Sequence, residues 1–109
     1  MLAVVLITCP SGKVARKIAN MLLRRRLAAC VSIIPGIKSL FWWEGRVEEE
    51  DEALLIVKTR VELLRGLEEA VKEAHPYKVP EILALPAVFS SMAYLDWVVH
   101  ETSMGGQVS

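Results

Sequence analysis

The sequence predicts an α+β fold, and three observations carry that prediction. Stretches that are continuously apolar and rich in β-branched residues (2–7, 54–57 and 82–85) alternate with stretches whose apolar residues recur every three or four positions (14–22, 63–74 and 92–99). Residues 28–59 run out and back through Glu44 and Gly45, a pair suited to a tight hairpin turn. The residues AVILMFWYC make up 53% of a 109-residue chain, enough to bury a core, which excludes disorder and points to a single domain over 1–109.

In chain order, residues 2–7 read as a strand buried on both faces, because apolar residues occupy both alternations. Pro10 and Ser11 end it, and Ser11 suits the N-cap of a helix in which Val14, Ala15, Ile18, Ala19 and Leu22 share a face. Arg24, Arg25 and Arg26 crowd the last turn, where positive charge complements the helix dipole. They read as a solvated helix end, with a phosphate-binding patch as the alternative. Residues 28–34 and 37–43 are extended, and Pro35–Gly36 between them predicts one long strand with a kink or bulge. The chain returns over 46–59, so that Trp42 and Trp43 stand on one arm of the hairpin and an acidic run, 48–52, on the other. Residues 61–74 are helical, with Leu63, Leu67, Ala70, Val71 and Ala74 on one stripe, and end at His75–Pro76. Residues 82–85 form a short strand between Pro80 and Pro86. Ser90 or Ser91 caps a last helix presenting Met92, Leu95, Val98 and Val99, and 103–109 is expected to be a flexible tail.

This order is the split βαβ or ferredoxin-like arrangement, βαββαβ plus a C-terminal helix, with an antiparallel sheet and a long kinked hairpin. Right-handed crossovers put the first two helices on one face of that sheet. The strands are nevertheless apolar on both alternations, and one short third helix is a small cover for a whole sheet. A second copy of the chain is the economical cover, so a homo-oligomer is expected, with the hairpin as its intersubunit arm.

Thirteen Lys and Arg balance thirteen Asp and Glu, so no global field steers the chain to nucleic acid or to a membrane surface, and neither is expected as a partner. No uninterrupted apolar run reaches the roughly 18 residues of a membrane span. The first ten residues lack a basic leader and a cleavage site, which points to the cytoplasm. Cys9 and Cys30, with no CxxC, read as core thiols of a reducing compartment. Asn20 and Gln107 are the only side-chain amides beside abundant Glu, Lys and Arg, a pattern found in thermostable proteins.

The borderline or soft metal ligands are Cys9, Cys30, His75 and His100, and none stands at i, i+3 or i, i+4 from another. Any metal site must therefore be assembled in space or between chains. His75 has a structural reading too, as a partner for the last carbonyls of the preceding helix. Residues 10–13, PSGK, lie between a strand and a helix and lack the full GxxxxGK[ST] pattern, so they read as a helix cap, with anion binding as the alternative. No GxSxG is present, a thiol within the apolar AACVSII is expected to be protonated and inert, and adjacent acids are usually a solvated cluster. No catalytic residues and no enzyme are expected.

The blocks RLAACVSIIPGIKSLFWWEGRVEEE from Arg26, LLIVKTR from Leu54, HPYKVPEILALP from His75 and YLDW from Tyr94 resemble the CutA family of divalent-cation tolerance proteins. The resemblance implies a ferredoxin-like subunit in a homotrimer similar to PII-type signalling proteins, with clefts between subunits. It also implies divalent metal, Cu2+ first, as the ligand, bound without catalysis. Of the metal ligands proposed in bacterial relatives, a cysteine ending the first strand is replaced here by Ile7, Ala74 precedes His75, and His75 is the one position carried over. Trp43, Lys58, Tyr77 and Glu81 also match motif positions, and with Glu48 or Glu50 they are expected to line an intersubunit cleft suited to a small polar ligand. A PII-like sensor of small molecules and a purely structural trimer, glued by Trp42 and Trp43, stand as the alternatives.

Overall fold

The computed structural model describes residues 1–103; of the tail expected at 103–109, Ser103 belongs to the last helix and 104–109 lie outside the described residues. Strand β1 (Leu2–Cys9), helix α1 (Gly12–Arg24), strands β2 (Cys30–Trp43) and β3 (Arg46–Arg60), helix α2 (Leu64–Ala74), strand β4 (Ile82–Pro86) and helix α3 (Met92–Ser103) follow one another, with a 3-10 turn, Val61–Leu63, leading into α2. The four strands form one antiparallel sheet in the order β2-β3-β1-β4. Every expected element is present, and α2 starts later than expected because residues 61–63 wind more tightly.

Strand alternation sorts the sheet into two faces. Val5, Ile7 and Cys9 of β1 and Ala53, Leu55 and Val57 of β3 point to α1 and α2, where they meet Ala15, Ile18, Leu22, Leu67 and Val71 in one buried core. Thr59 completes this face, its hydroxyl donating to the Leu27 carbonyl at 2.7 Å, so its burial leaves no polar atom unpaired. The other alternation holds Val4, Leu6, Leu54 and Ile56, all half-buried, together with Leu83 and Leu85, which are exposed. Cys30, expected in the core, pairs with Lys58 on this second face and is half-buried. Only Cys9 is a core thiol.

Helix α1 begins as expected, Ser11 Oγ accepting from Val14 N–H at 3.2 Å. It ends with Arg26 N–H donating to Leu23 O at 3.1 Å and Leu27 N–H to Leu22 O at 2.9 Å. This paired closure normally places glycine in the left-handed region. Here Arg26 occupies it at φ 58°, and its guanidinium donates to the carbonyl and carboxylate of Glu101, both at 3.0 Å. The arginine triplet is thus not uniformly solvated, because Arg26 ties the end of α1 to the end of α3.

Helix α3 lies against the end of the second face. Arg60 Nε donates to Thr102 Oγ1 at 2.8 Å, and Lys58 and Tyr94 border one hollow. The buried positions of α3 are Val98 and Thr102, with Leu95 half-buried; Met92 and Val99, expected on the same face, are exposed. No described helix is long and apolar enough to cross a membrane.

The hairpin is the largest feature outside the core. β1 stops at Cys9 opposite Ala53, while β2 and β3 continue as a two-stranded ribbon from Ile37–Glu52 to Trp43–Arg46. Pro35 and Gly36, the latter at φ 69°, stand together opposite Ala53 and make the expected bulge. Glu44 and Gly45 turn the chain at φ 49° and 79°, the double positive φ of a tight hairpin. An isolated ribbon is marginally stable in water, yet this one exposes Leu40, Trp42, Trp43 and Val47. Both indoles are largely open to solvent, Trp42 75% exposed and Trp43 61%.

Leu55, fully buried between the sheet and the two helices, tests the core. Leu55→Ala is expected to lower unfolding stability by about 3 kcal/mol, measured by chemical denaturation at fixed protein concentration.

Candidate functional site

The sheet end at which β1 stops and the ribbon begins holds Glu52 and His75, two of the four buried polar residues among those described. Glu52 is the first residue of β3 beyond the last β1 rung, and it is 8% exposed although it closes an acidic run. Tyr77 Oη donates to Glu52 Oε2 at 2.9 Å. Tyr77 N–H donates to His75 Nδ1 at 3.1 Å, which puts the imidazole proton on Nε2, and Nε2 donates to the Thr8 carbonyl at 2.8 Å. The His75 and Tyr77 rings pack with centroids 4.8 Å apart. A chain of hydrogen bonds therefore runs from β1 through His75 and Tyr77 to β3 and holds the segment after α2 across the sheet end.

His75 does not partner the helix carbonyls with its ring; its backbone N–H does that, donating to Val71 O at 2.8 Å. The ring serves the sheet instead, and both of its nitrogens are occupied.

Cys9 lies beside Glu52. Burial first, and the Glu52 charge second, push its thiol up to about 11. The Tyr77 phenol is pushed up to about 12, again by burial first and then by the hydrogen bond and charge of Glu52. At neutral pH both hold their protons, so Cys9 offers neither a thiolate nucleophile nor a ready metal ligand.

The other expected site residues are spread along the molecule. Glu50 lies close enough to Tyr77 to act on its ionisation, and Glu81 immediately precedes β4 at the same sheet end. Glu48 pairs with Phe41 further out on the ribbon, and Trp43 pairs with Arg46 at its tip. Lys58 stands at the opposite end of β3, where its ammonium donates to Ser32 Oγ at 2.7 Å and to the Ile56 carbonyl at 3.2 Å. It borders a hollow of about 430 Å3 with Val4, Phe89 and Tyr94. Arg46 and Lys58 are each six residues from Glu52, about 20 Å in either direction along the strand. One chain therefore brings together His75, Tyr77, Glu50 and Glu52, with Glu81 at the same sheet end, and leaves Trp43, Glu48 and Lys58 apart from them.

Glu52 was hidden in the sequence by its acidic neighbours. The signal that distinguishes it is adjacency and parity: it abuts the apolar run at Ala53 and shares the alternation of Leu54 and Ile56. Among the described residues, no three His, Cys, Asp or Glu side chains of one chain converge on a metal-sized point.

The raised pKa values fix an alkaline behaviour. Between 9.0, the ordinary value for cysteine, and about 11, native Cys9 keeps a proton that the unfolded chain has released, and Tyr77 does the same between 10.0 and about 12. Their contribution is complete below those ordinary values and is lost as pH rises through the native ones. Urea midpoints measured across the alkaline range are expected to fall with rising pH, and Cys9→Ala is expected to remove the earlier part of the fall. Tyr77→Phe, which leaves the buried Glu52 carboxylate without its donor, is expected to cost about 1 kcal/mol at neutral pH in the same assay.

Residues 3–101 match the family model described as CutA1 divalent ion tolerance protein. The chain is 52% identical over 99 residues to the divalent-cation tolerance protein CutA of Thermus thermophilus, covering 91% of this chain and 96% of that one. It is 46% identical over 99 residues to Protein CutA 1, chloroplastic, of Oryza sativa, covering 91% of this chain and 56% of the longer plant protein. The solved structure of the periplasmic divalent cation tolerance protein CutA from Archaeoglobus fulgidus superposes with a TM-score of 0.91 at 43% identity, covering 94% of this chain and 99% of that one. With the match running from β1 to α3, the chain belongs to the CutA1 divalent ion tolerance family.

Proposed function

We propose that the chain is a single-domain, ferredoxin-like subunit of a PII-like homotrimer that binds divalent cations, Cu2+ foremost, and performs no catalysis. The observation that carries the assembly is the second face of the sheet, with Leu83 and Leu85 exposed and with the apolar ribbon standing free beyond it. A monomer seldom leaves so much contiguous apolar surface to water, and further copies of the chain cover it. The strand order β2-β3-β1-β4 supports the ferredoxin-like reading.

The cation reading is supported by the family's description and by the donor set at the sheet end, where His75 offers an imidazole and Glu50 and Glu52 offer carboxylates, with Glu48 further out on the ribbon. Those donors suit borderline divalent ions such as Cu2+ and Zn2+. They do not form a closed site within one chain, since both His75 nitrogens are bonded and Cys9 holds its proton. The cation is therefore read as held between subunits, where a neighbour's carboxylates reach His75 and Nδ1 exchanges the Tyr77 N–H for metal. Assembly also offers the means of bringing Trp43 and Lys58 of one copy towards Tyr77 and Glu81 of another. The hollow beside Lys58 favours a second reading, a PII-like sensor of a small polar ligand in the same clefts. The cytoplasm is the proposed location, with no nucleic acid or membrane as partner. Two free cysteines, one buried and protonated, suit such a reducing compartment.

Light scattering combined with calorimetric titration of metal-free protein with Cu2+, Zn2+ and Ni2+ tests the proposal. The expected result is a mass of three chains and saturable binding of one Cu2+ per subunit, weakened about tenfold or more by His75→Ala. Unchanged binding in that variant rejects His75. Weak, non-stoichiometric binding by an intact trimer rejects the metal reading and favours the small-molecule one.

A further inference from the structure

We propose that the groove between α1 and the bulged stretch of β2 is a separate binding site, for a small molecule carrying two or more phosphate groups. The groove encloses about 650 Å3, with Lys13, Arg16, Lys17 and Asn20 along its helical wall and Ile33 and Pro35 along the other. The four helical residues are spaced i, i+3, i+4, i+7, so they form one stripe about 10 Å long down the flank of α1. That stripe runs beside the buried stripe of Ala15, Ile18, Ala19 and Leu22. Ile33 pairs with the core residue Leu55, so the groove opens on the helical side of the sheet, away from the apolar face read as the assembly surface.

The grouping of these cations separates the stripe from an ordinary solvated helix face. Among the described residues Arg24, Lys58, Arg60, Arg65 and Lys78 also lack a carboxylate within ion-pair distance, but Lys13, Arg16 and Lys17 are three such cations lining one groove. They are also badly placed for the helix. All three lie in the first half of α1, whose first turn carries no acidic residue, where the dipole disfavours positive charge. Lys13 further repels Arg16 and Lys17 at i, i+3 and i, i+4. A chain with as many acids as bases could have interleaved the two here, as it does elsewhere on its surface. Local conflicts of this kind concentrate at functional sites, and an anion in the groove resolves this one.

The geometry also selects the ligand. Arg16 supplies a planar guanidinium fork that fits a phosphate bidentately, while the two lysines act as point charges on either side of it. Three cations spread over this length match several anionic groups better than a single one. Asn20, one of two side-chain amides in the chain, adds a neutral donor at the far end. The apolar wall of Ile33 and Pro35 takes the uncharged part of the molecule.

Calorimetric titration of the metal-free full chain with tripolyphosphate at low salt tests the site, with inorganic phosphate and citrate titrated in parallel. One tripolyphosphate per chain is expected, with affinity that falls as salt rises and exceeds that for inorganic phosphate and citrate. Lys13→Gln, Arg16→Gln and Lys17→Gln together are expected to weaken binding about tenfold for each cation removed. Arg24→Gln with Arg65→Gln, which lowers the charge at exposed positions outside the groove, is expected to leave binding unchanged. Arg16→Gln alone gives the single-cation effect and keeps the test valid if the triple variant folds poorly. Absence of saturable binding, an equal loss in the Arg24 and Arg65 variant, or citrate binding as tightly as tripolyphosphate would each overturn the proposal.

Discussion

A sheet that is apolar on both faces, in a chain with enough helix to cover only one of them, is the constraint from which the rest of this structure follows. β1 is its centre, paired with β3 on one side and β4 on the other, and it has no polar alternation to offer to water. Val5 and Ile7 go under α1 and α2, so Val4 and Leu6 must turn to the opposite face. α3 covers one end of that face and is fastened there by Arg26 to Glu101 and Arg60 to Thr102. Those fastenings make an amphipathic helix unnecessary, which accounts for a helix with only Val98 and Thr102 fully buried. The left-handed backbone at Arg26 belongs to the same device: strain of about 1 kcal/mol is accepted where glycine would be free of it, because only a side chain can reach Glu101.

The opposite end of the sheet has a different problem. There β1 stops while β3 runs on, and a strand losing a neighbour exposes backbone and side chains that were designed to be flanked. The segment after α2 folds back over this point, with His75 bonded to β1 and Tyr77 bonded to β3. Burial of Glu52 and the raised pKa values of Cys9 and Tyr77 are consequences of that closure. A histidine used in this way is a structural clasp first. Any role as a metal ligand draws on the same Nδ1 lone pair, so binding and clasping compete for one atom.

What could be read in the sequence divides along the same physical line. Elements whose burial is set by local periodicity were legible: β1, α1 with its Ser11 cap, the Pro35–Gly36 bulge and the Glu44–Gly45 turn all leave patterns within a few residues. Features set by distant contacts were not. Nothing near Arg26 announces Glu101, seventy-five residues away, and nothing near Glu52 announces Tyr77. Cys30 was misplaced because an apolar stretch does not say which alternation faces which layer, and α3 because its apolar residues outnumber those that its small contact buries. Of the candidate site, the residues around His75 and Tyr77 were legible as a motif, while the chemistry that holds them, a buried carboxylate and a backbone carbonyl, was not.

The spread of the candidate residues has a thermodynamic consequence. Arg46, opposite Trp43, and Lys58 are twelve residues apart on β3, about 40 Å, so a cleft using Trp43, Lys58 and Tyr77 together can exist only where chains overlap. Ligand binding at such a cleft is linked to assembly: whatever occupies it stabilises the oligomer by mass action, and its apparent affinity depends on protein concentration as long as subunits exchange. The groove beside α1 is different in kind, since all of its walls come from one chain and it lies on the helical side of the sheet. Its occupancy is independent of subunit contacts unless the two sites share a moving element. β2 is the element they do share, since it forms one wall of the groove with Ile33 and Pro35 and one arm of the ribbon beyond the bulge at Gly36. A change in the angle of that bulge is a direct route by which a ligand on the helical side could alter the fit of the arm against a neighbour.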